Sequence, residues 1–308
     1  RRGPAGDHPA GAALTLPAVQ LSAPPAVPTA RWRARPPRGH VTRGKTAANR
    51  LRRVDVLTAL YDPWLVRRTD GAFAHAWLVD LGFGETAATT LEMAARLRRL
   101  NPGLKVLGVE IDRARVAAAQ PHADARTAFR HGGFVLPPER IDGRVEAVRL
   151  VRAMNVLRQY DEAEVAAAHR TLLDQLLPGG LVIEGTSDPS GRHWVVNILR
   201  RPAEAVGAQP PASIEALVFG TNFAAGFDPA DFRAVLPKNL IHRVVPGEPI
   251  AAFLAAWSDA WRTAAGAGRP WGPRWAFGRS ARALAAAGFA VDVRPSLLDR
   301  GLLVWRQR

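Results

Sequence analysis

Val79-Asp80-Leu81-Gly82-Phe83-Gly84-Glu85-Thr86 joins an apolar run to a helical one through two closely spaced glycines. The apolar run Trp77-Leu78-Val79-Asp80 ahead of it has the length and residue types of a buried strand. Glycines at 82 and 84 then permit a tight turn and close approach of a ligand to the backbone. From about Thr86 to Leu100 the spacing predicts a helix. A strand that turns through glycines into a helix leaves the free N–H groups of the helix start facing the turn, where they can hold an anionic group.

Working outward, the pattern repeats. Val106-Leu107-Gly108-Val109-Glu110 reads as a second strand, followed by a helix over Arg113–Gln120. Further strands fit Ala128–Arg130, Val148–Arg152 and Leu181–Glu184, with a helix over Asp161–Leu177 between the last two. This alternation predicts a parallel sheet covered on both faces. Upstream, Leu51, Val54, Leu57 and Leu60 recur every third residue and predict a helix starting near Asn49. At the far end a helix over Ser280–Ala287 leads into strands Phe289–Val293 and Gly301–Trp305. The gap between those two strands is too short for a parallel crossover, so they should be antiparallel. The region 187–279 is too long for a simple connection. It holds a strand pair, Trp194–Leu199 and Ala216–Gly220, and helices near Asp231–Leu236 and Ile250–Ala264, and is expected to form an inserted α+β cap.

Composition narrows the class. The 308 residues contain no cysteine, which excludes a disulfide scaffold, an iron–sulfur centre, a Cys-ligated zinc site and a catalytic thiol. A cytoplasmic location is the expectation that follows. The sequence offers no apolar run approaching the ~18 residues of a membrane helix, and His131, His169, His193 and His242 show no metal-ligand spacing. The net charge of +15 is concentrated in residues 1–53, where 11 Lys/Arg face a single acid, Asp7. Only Lys45, Lys105 and Lys238 among the 42 basic residues are lysine, so arginine is the default cation and signals phosphate recognition only weakly. An RNA partner held through residues 31–53 stays open on charge. Residues 1–40 carry eight prolines and are expected to be a disordered Pro/Ala/Arg-rich tail. The mildly apolar stretch Gly11–Ala23, interrupted by Pro17, reads as part of that tail rather than as a targeting signal.

Glu110, at the end of the second strand, lies where a carboxylate can accept hydrogen bonds from both hydroxyls of a ribose. Gly82-x-Gly84-x-x-Ala87 satisfies the dinucleotide fingerprint, which makes an NAD-binding oxidoreductase the alternative reading. Asp80 speaks against it: a carboxylate two residues before the first glycine would repel a pyrophosphate and favour a cationic amino group. The ligand that suits both carboxylates is S-adenosylmethionine (SAM), with its ammonium, its sulfonium and its ribose diol.

Asp80-x-Gly82-x-Gly84, Gly108-Val109-Glu110-Ile111-Asp112 and Leu177-Pro178-Gly179-Gly180-Leu181-Val182-Ile183-Glu184 together resemble a class I SAM-dependent methyltransferase, over about residues 50–186 and 280–308. The resemblance implies a Rossmann-like, mostly parallel seven-stranded sheet with an antiparallel last strand. Its catalytic domain would span 41–186 and 280–308, with 187–279 as the substrate region. It further implies that Asp80, Gly82 and Gly84 wrap the methionine part of SAM, that Glu110 binds the ribose, and that Ile111 and Phe134 pack near the adenine. In Arg130-His131-Gly132-Gly133-Phe134, glycine stands where the family places an adenine-binding acid. Arg152-Ala153-Met154-Asn155-Val156-Leu157 resembles the family's loop where cofactor and acceptor meet, so Asn155 is expected at the cofactor and Arg152 at the acceptor. Glu184 ends the fifth strand at the same edge and is a second acceptor candidate. For a hydroxyl or acidic amine acceptor, His131 or Tyr160 would be the general base.

The Asn/Asp-Pro-Pro-Tyr motif of amino-group methylases is absent, and RNA cytosine-C5 chemistry needs cysteines this chain lacks. A small-molecule acceptor is therefore favoured. A SAM-binding protein without turnover is a further alternative. Gly39-His40-Val41-Thr42-Arg43-Gly44-Lys45-Thr46 matches the phosphate-loop pattern of nucleotide-binding proteins. What precedes it is charged and proline-broken rather than a buried strand. The same segment reads alternatively as a basic linker, or as an arm (Arg43 to Arg53) folded over the cleft against an anionic acceptor.

Overall fold

The computed structural model describes residues 39–41, 46–141, 143–203, 213–224 and 226–307. The expected tail over 1–40 falls almost wholly outside them, as do Thr42–Lys45 of the phosphate-loop pattern and most of the basic segment 31–53 that could meet RNA. Among the described residues no helix is long and apolar enough to cross a membrane.

The first half alternates as expected. Helices α1 (Arg52–Tyr61) and α2 (Pro63–Arg67) lead to β1 (Trp77–Leu81), α3 (Ala88–Leu97), β2 (Lys105–Glu110), α4 (Arg113–Ala119) and β3 (Thr127–His131). A small hairpin, β4 (Arg140–Ile141) and β5 (Arg144–Val145), precedes β6 (Val148–Met154), α5 (Glu162–Leu173) and β7 (Leu176–Ser187). Strands β3, β2, β1, β6 and β7 lie side by side and parallel. The helix starts are written in the sequence. Asp112 caps α4 by accepting from the amides of Ala114 and Arg115 at 2.8 and 3.3 Å, and Asp161 with Glu164 forms a capping box on α5.

The second half departs from expectation. Strand β8 (Trp194–Arg200) folds straight back on β7 as an antiparallel hairpin, and β9 (Ile214–Gly220) pairs antiparallel with β8. After α6 (Pro249–Ala267) and α7 (Gly272–Ala286) come β10 (Val291–Asp292), α8 (Pro295–Leu298) and β11 (Leu302–Arg306). The C-terminal strands are antiparallel as expected, but β11 joins the sheet beyond β9. Among the described residues the sheet therefore has nine strands, in the order β10-β11-β9-β8-β7-β6-β1-β2-β3, not seven. Its antiparallel neighbour to the fifth parallel strand is Trp194–Arg200 rather than the last strand of the chain. The turn between β7 and β8 is too short for a helical crossover, which forces this hairpin. The Asp188 carboxylate closes it by accepting from the amides of Ser190, Arg192 and His193.

The strand pair of region 187–279 is thus an extension of the sheet, and Pro37–Arg308 forms one compact unit. Helices α6 and α7 pack an aromatic cluster (Phe253, Trp257, Phe277 with Phe219 and Phe232) against the antiparallel half. Each such fully buried side chain contributes roughly 1.5–3 kcal/mol. The parallel half is covered on one face by α1 and α3, through Leu57, Met93 and Leu97, and on the other by α5, through Val165 and Leu172. This leaves the carboxyl ends of β1, β2, β3, β6 and β7 as the edge where a ligand can enter.

Candidate functional site

The turn after β1 needs its glycines. Gly82 has φ +72° and Gly84 φ +89°, in the region that side chains rarely adopt. A Cβ on Gly82 would also stand 2.6 Å from Val156 Cγ2. The turn thereby drops its backbone beside the end of β2. There the buried Glu110 carboxylate accepts from Gly84 N at 3.0 Å, Ile111 N at 2.8 Å and Asp112 N at 3.3 Å. Parallel pairing of β1 with β2, Leu81 opposite Val109, is what brings the two together.

Asp80 lines the cleft, but its carboxylate is already engaged. Thr89 and Thr90 hydroxyls donate to it at 3.0 and 2.8 Å, and Arg152 donates from Nε at 3.0 Å. Arg152 also pairs with Asp55 of α1 and donates to the Thr89 carbonyl at 3.1 Å. Asp55 in turn pairs with Arg96 of α3 at 2.6 Å. Burial opposes the charge on Arg152, but Asp80 and Asp55 outweigh it and raise its pKa. A buried arginine held by two carboxylates cannot turn to a substrate, so the expected acceptor role of Arg152 gives way to a structural one: it ties α1 and the glycine turn to β6.

Two cavities meet at Gly82. The larger, about 630 Å³, has Gly82, Phe83 and Gly84 on one side and Asn155 and Ser187 on another, with Thr46 and Arg50 over them. Asn155, itself at φ +62°, is fixed by a pair of hydrogen bonds: its Oδ1 accepts from Ser187 N at 2.9 Å and its Nδ2 donates to Ser187 Oγ at 3.1 Å. The smaller, about 20 Å³, brings together Glu110, Ile111 and Phe134, as the sequence predicts, with Gly132 and Tyr160. Gly132 stands where the resemblance places an acid, and a Cβ there would already meet Pro137 Cδ at 2.9 Å.

The remaining expected residues are placed elsewhere. Tyr160 stacks edge-on against Phe134 at 5.3 Å, and its hydroxyl accepts from the amide of His40. Burial pushes that hydroxyl up, so it holds its proton, and Tyr160 lines only the smaller cavity. The His131 ring lies 3.0 Å from the Ile111 carbonyl and lines neither cavity. Glu184 is buried on the α5 side of the sheet, 3.1 Å from His169 and 2.9 Å from Asn197, and lines neither cavity either. The larger cavity therefore contains none of His131, Tyr160, Arg152 and Glu184. It contains instead Thr46, Arg50, Arg158 and Ser187, of which only the Arg43–Arg53 arm carried a sequence signal.

No family model and no curated protein matches this sequence. Among solved structures, the chain is similar to the N-methyltransferase NodS from Bradyrhizobium japonicum WM9, at 13% identity and a TM-score of 0.27 over 36% of this chain and 58% of that one. It is similar to the O-methyltransferase NcsB1 from neocarzinostatin biosynthesis in complex with S-adenosyl-L-homocysteine, at 17% identity and 0.28 over 44% and 43%. It is also similar to human N-acetylserotonin methyltransferase in complex with SAM, at 20% identity and 0.29 over 46% and 41%. Each match spans less than two thirds of the solved chain.

Proposed function

We propose that this chain is a SAM-dependent methyltransferase acting on a small-molecule acceptor. The observation that carries the reading is that Glu110 lines the smaller cavity with Ile111 and Phe134 and accepts from Gly84 N, part of the larger cavity's floor, while Gly82 lines both. The residues suit the group in their chemistry, and the Ile111–Phe134 slot, about 20 Å³, would widen to take the adenine. Gly82 keeps the turn's backbone open to a ligand, and Glu110 Oε2, which accepts from Gly84 N alone among the backbone amides, retains capacity for a ribose hydroxyl, whereas Oε1 already accepts from Ile111 N and Asp112 N. The backbone of Gly82 and Gly84 would hold the methionine part, Glu110 the ribose diol, and Ile111 with Phe134 the adenine. Bound there, SAM supplies an electrophilic methyl group on its sulfonium. Asn155 and Ser187 shape the wall that an acceptor meets, and Thr46 and Leu51 help screen it from water. A cavity of about 630 Å³ is within the ordinary size of a small-ligand site. With neither His131 nor Tyr160 in that cavity, positioning is the contribution assigned to these residues.

One observation favours a dinucleotide instead. Arg152 neutralises Asp80, which removes the repulsion that would keep a pyrophosphate away from the turn. Thermal unfolding with SAM, S-adenosylhomocysteine, NAD or ATP separates the readings. The expected result is a rise in midpoint with the two adenosyl sulfur compounds alone; a rise with NAD alone would replace the methyltransferase reading with the oxidoreductase one.

A further inference from the structure

We propose that the methyl acceptor is an amphipathic anion, a small molecule whose acidic group is taken by Arg50 and Arg158. This rests on the methyltransferase reading and names the substrate class of the same site. Among the described residues the larger cavity has two cationic side chains on its wall, Arg50 and Arg158, the latter also donating to the Ala234 carbonyl at 3.4 Å, and one carboxylate, Asp80. Asp80 offers no net charge to a ligand, because Arg152 and two threonine hydroxyls already hold it. The neighbouring Asp188 carboxylate is turned into its own loop, where it accepts from the amides of Ser190, Arg192 and His193.

Arg50 is held in place for such a role. Its Nε donates to the Asp188 carbonyl at 3.1 Å and its Nη2 to the Ser187 carbonyl at 3.3 Å, which spreads the guanidinium along the cavity wall. Its pKa lies below the ordinary value, chiefly through burial; Asp188 raises it and Arg158 lowers it further. An anion between the two arginines would relieve both costs, and paired guanidinium contacts to a carboxylate are among the stronger hydrogen bonds available to a protein. The opposite requirement comes from Leu51, Phe83, Met154 and Pro189, which give the cavity apolar surface and call for an apolar body on the ligand.

Benzoate and its neutral isostere benzamide are the probes. Each is titrated by ligand-observed NMR into the full chain, with and without S-adenosylhomocysteine, for the wild type, Arg158→Gln, Arg158→Lys and Arg50→Gln. Benzoate should bind the loaded wild type about tenfold more tightly than benzamide. Arg158→Gln should erase most of that preference and Arg158→Lys restore part of it, with S-adenosylhomocysteine affinity retained in both. Equal affinity for the two probes, or no benzoate binding at millimolar concentration, overturns the proposal. So does a preference untouched by Arg158→Gln and Arg50→Gln. A loss of S-adenosylhomocysteine affinity in place of benzoate preference overturns it too, since the arginines would then serve the cofactor's own carboxylate. Failure of S-adenosylhomocysteine to bind the wild type defeats the methyltransferase reading alone, because the benzoate preference is also measured in its absence.

Discussion

Arg152 on β6 lies opposite Asp80 on β1 in the parallel register and donates to its carboxylate at 3.0 Å, with both side chains buried. The same guanidinium reaches Asp55 in α1, so one side chain joins α1, the glycine turn and the sheet. Arg152→Met should therefore lower stability by about 3–5 kcal/mol, because it strands the buried Asp80 carboxylate without a cation and leaves Asp55 with Arg96 alone. Urea denaturation measures this directly. A loss below about 1 kcal/mol would mean that the cluster is not the fastener described here.

Gly82 carries two separate constraints, and they can be taken apart. Gly82→Ala meets a conformational cost of about 1–2 kcal/mol at φ +72°, and in addition the contact with Val156 at 2.6 Å. Adding Val156→Ala to Gly82→Ala should recover the part due to the contact and leave the conformational part. Ligand affinity and melting temperature of the single and double variants give the two components; a double variant no better than the single would show that the backbone alone sets the requirement.

Glu215 predicts how stability responds to acid. Burial pushes its carboxyl up, but hydrogen bonds from Arg200 at 2.7 Å and Tyr61 at 2.6 Å outweigh that and hold it below its ordinary value of 4.5. A carboxyl with a lowered pKa in the folded state contributes stability that is complete above the unfolded value and fades as pH falls through the folded one. Glu215→Gln should thus melt below the wild type at pH 7, and the gap should close below about pH 4. A gap that stays constant from pH 7 to pH 3 would assign the effect to packing.

The parallel half of the sheet was legible because its strands are short apolar runs between helical periods and glycine turns, and Glu110 at the end of one of them marks the edge. Trp194–Arg200 was legible as a strand but not as a member of this sheet. An apolar run records that it is buried and not which strand it pairs with, and only the short 188–193 turn, closed by Asp188, decides the matter. The glycine turn and Glu110 were legible from the residues, and Ile111 and Phe134 from the family resemblance, because all of them lie near consecutive strand ends. The role of Arg152 was not, since its partners Asp55 and Asp80 sit in distant segments and nothing in either one marks the pairing. Arg50 and Arg158 reach the cleft for the same reason: tertiary folding, not local pattern, brings α1's approach and the loop after β6 to one wall.

Calorimetric titration of S-adenosylhomocysteine into the wild type and Glu110→Ala tests the central claim most directly. One site is expected in the wild type. In the variant, loss of a charged acceptor should weaken it by about 1.5–3 kcal/mol, roughly ten- to a hundredfold. No binding to the wild type, or equal binding to both, would contradict the assignment of this cleft to SAM.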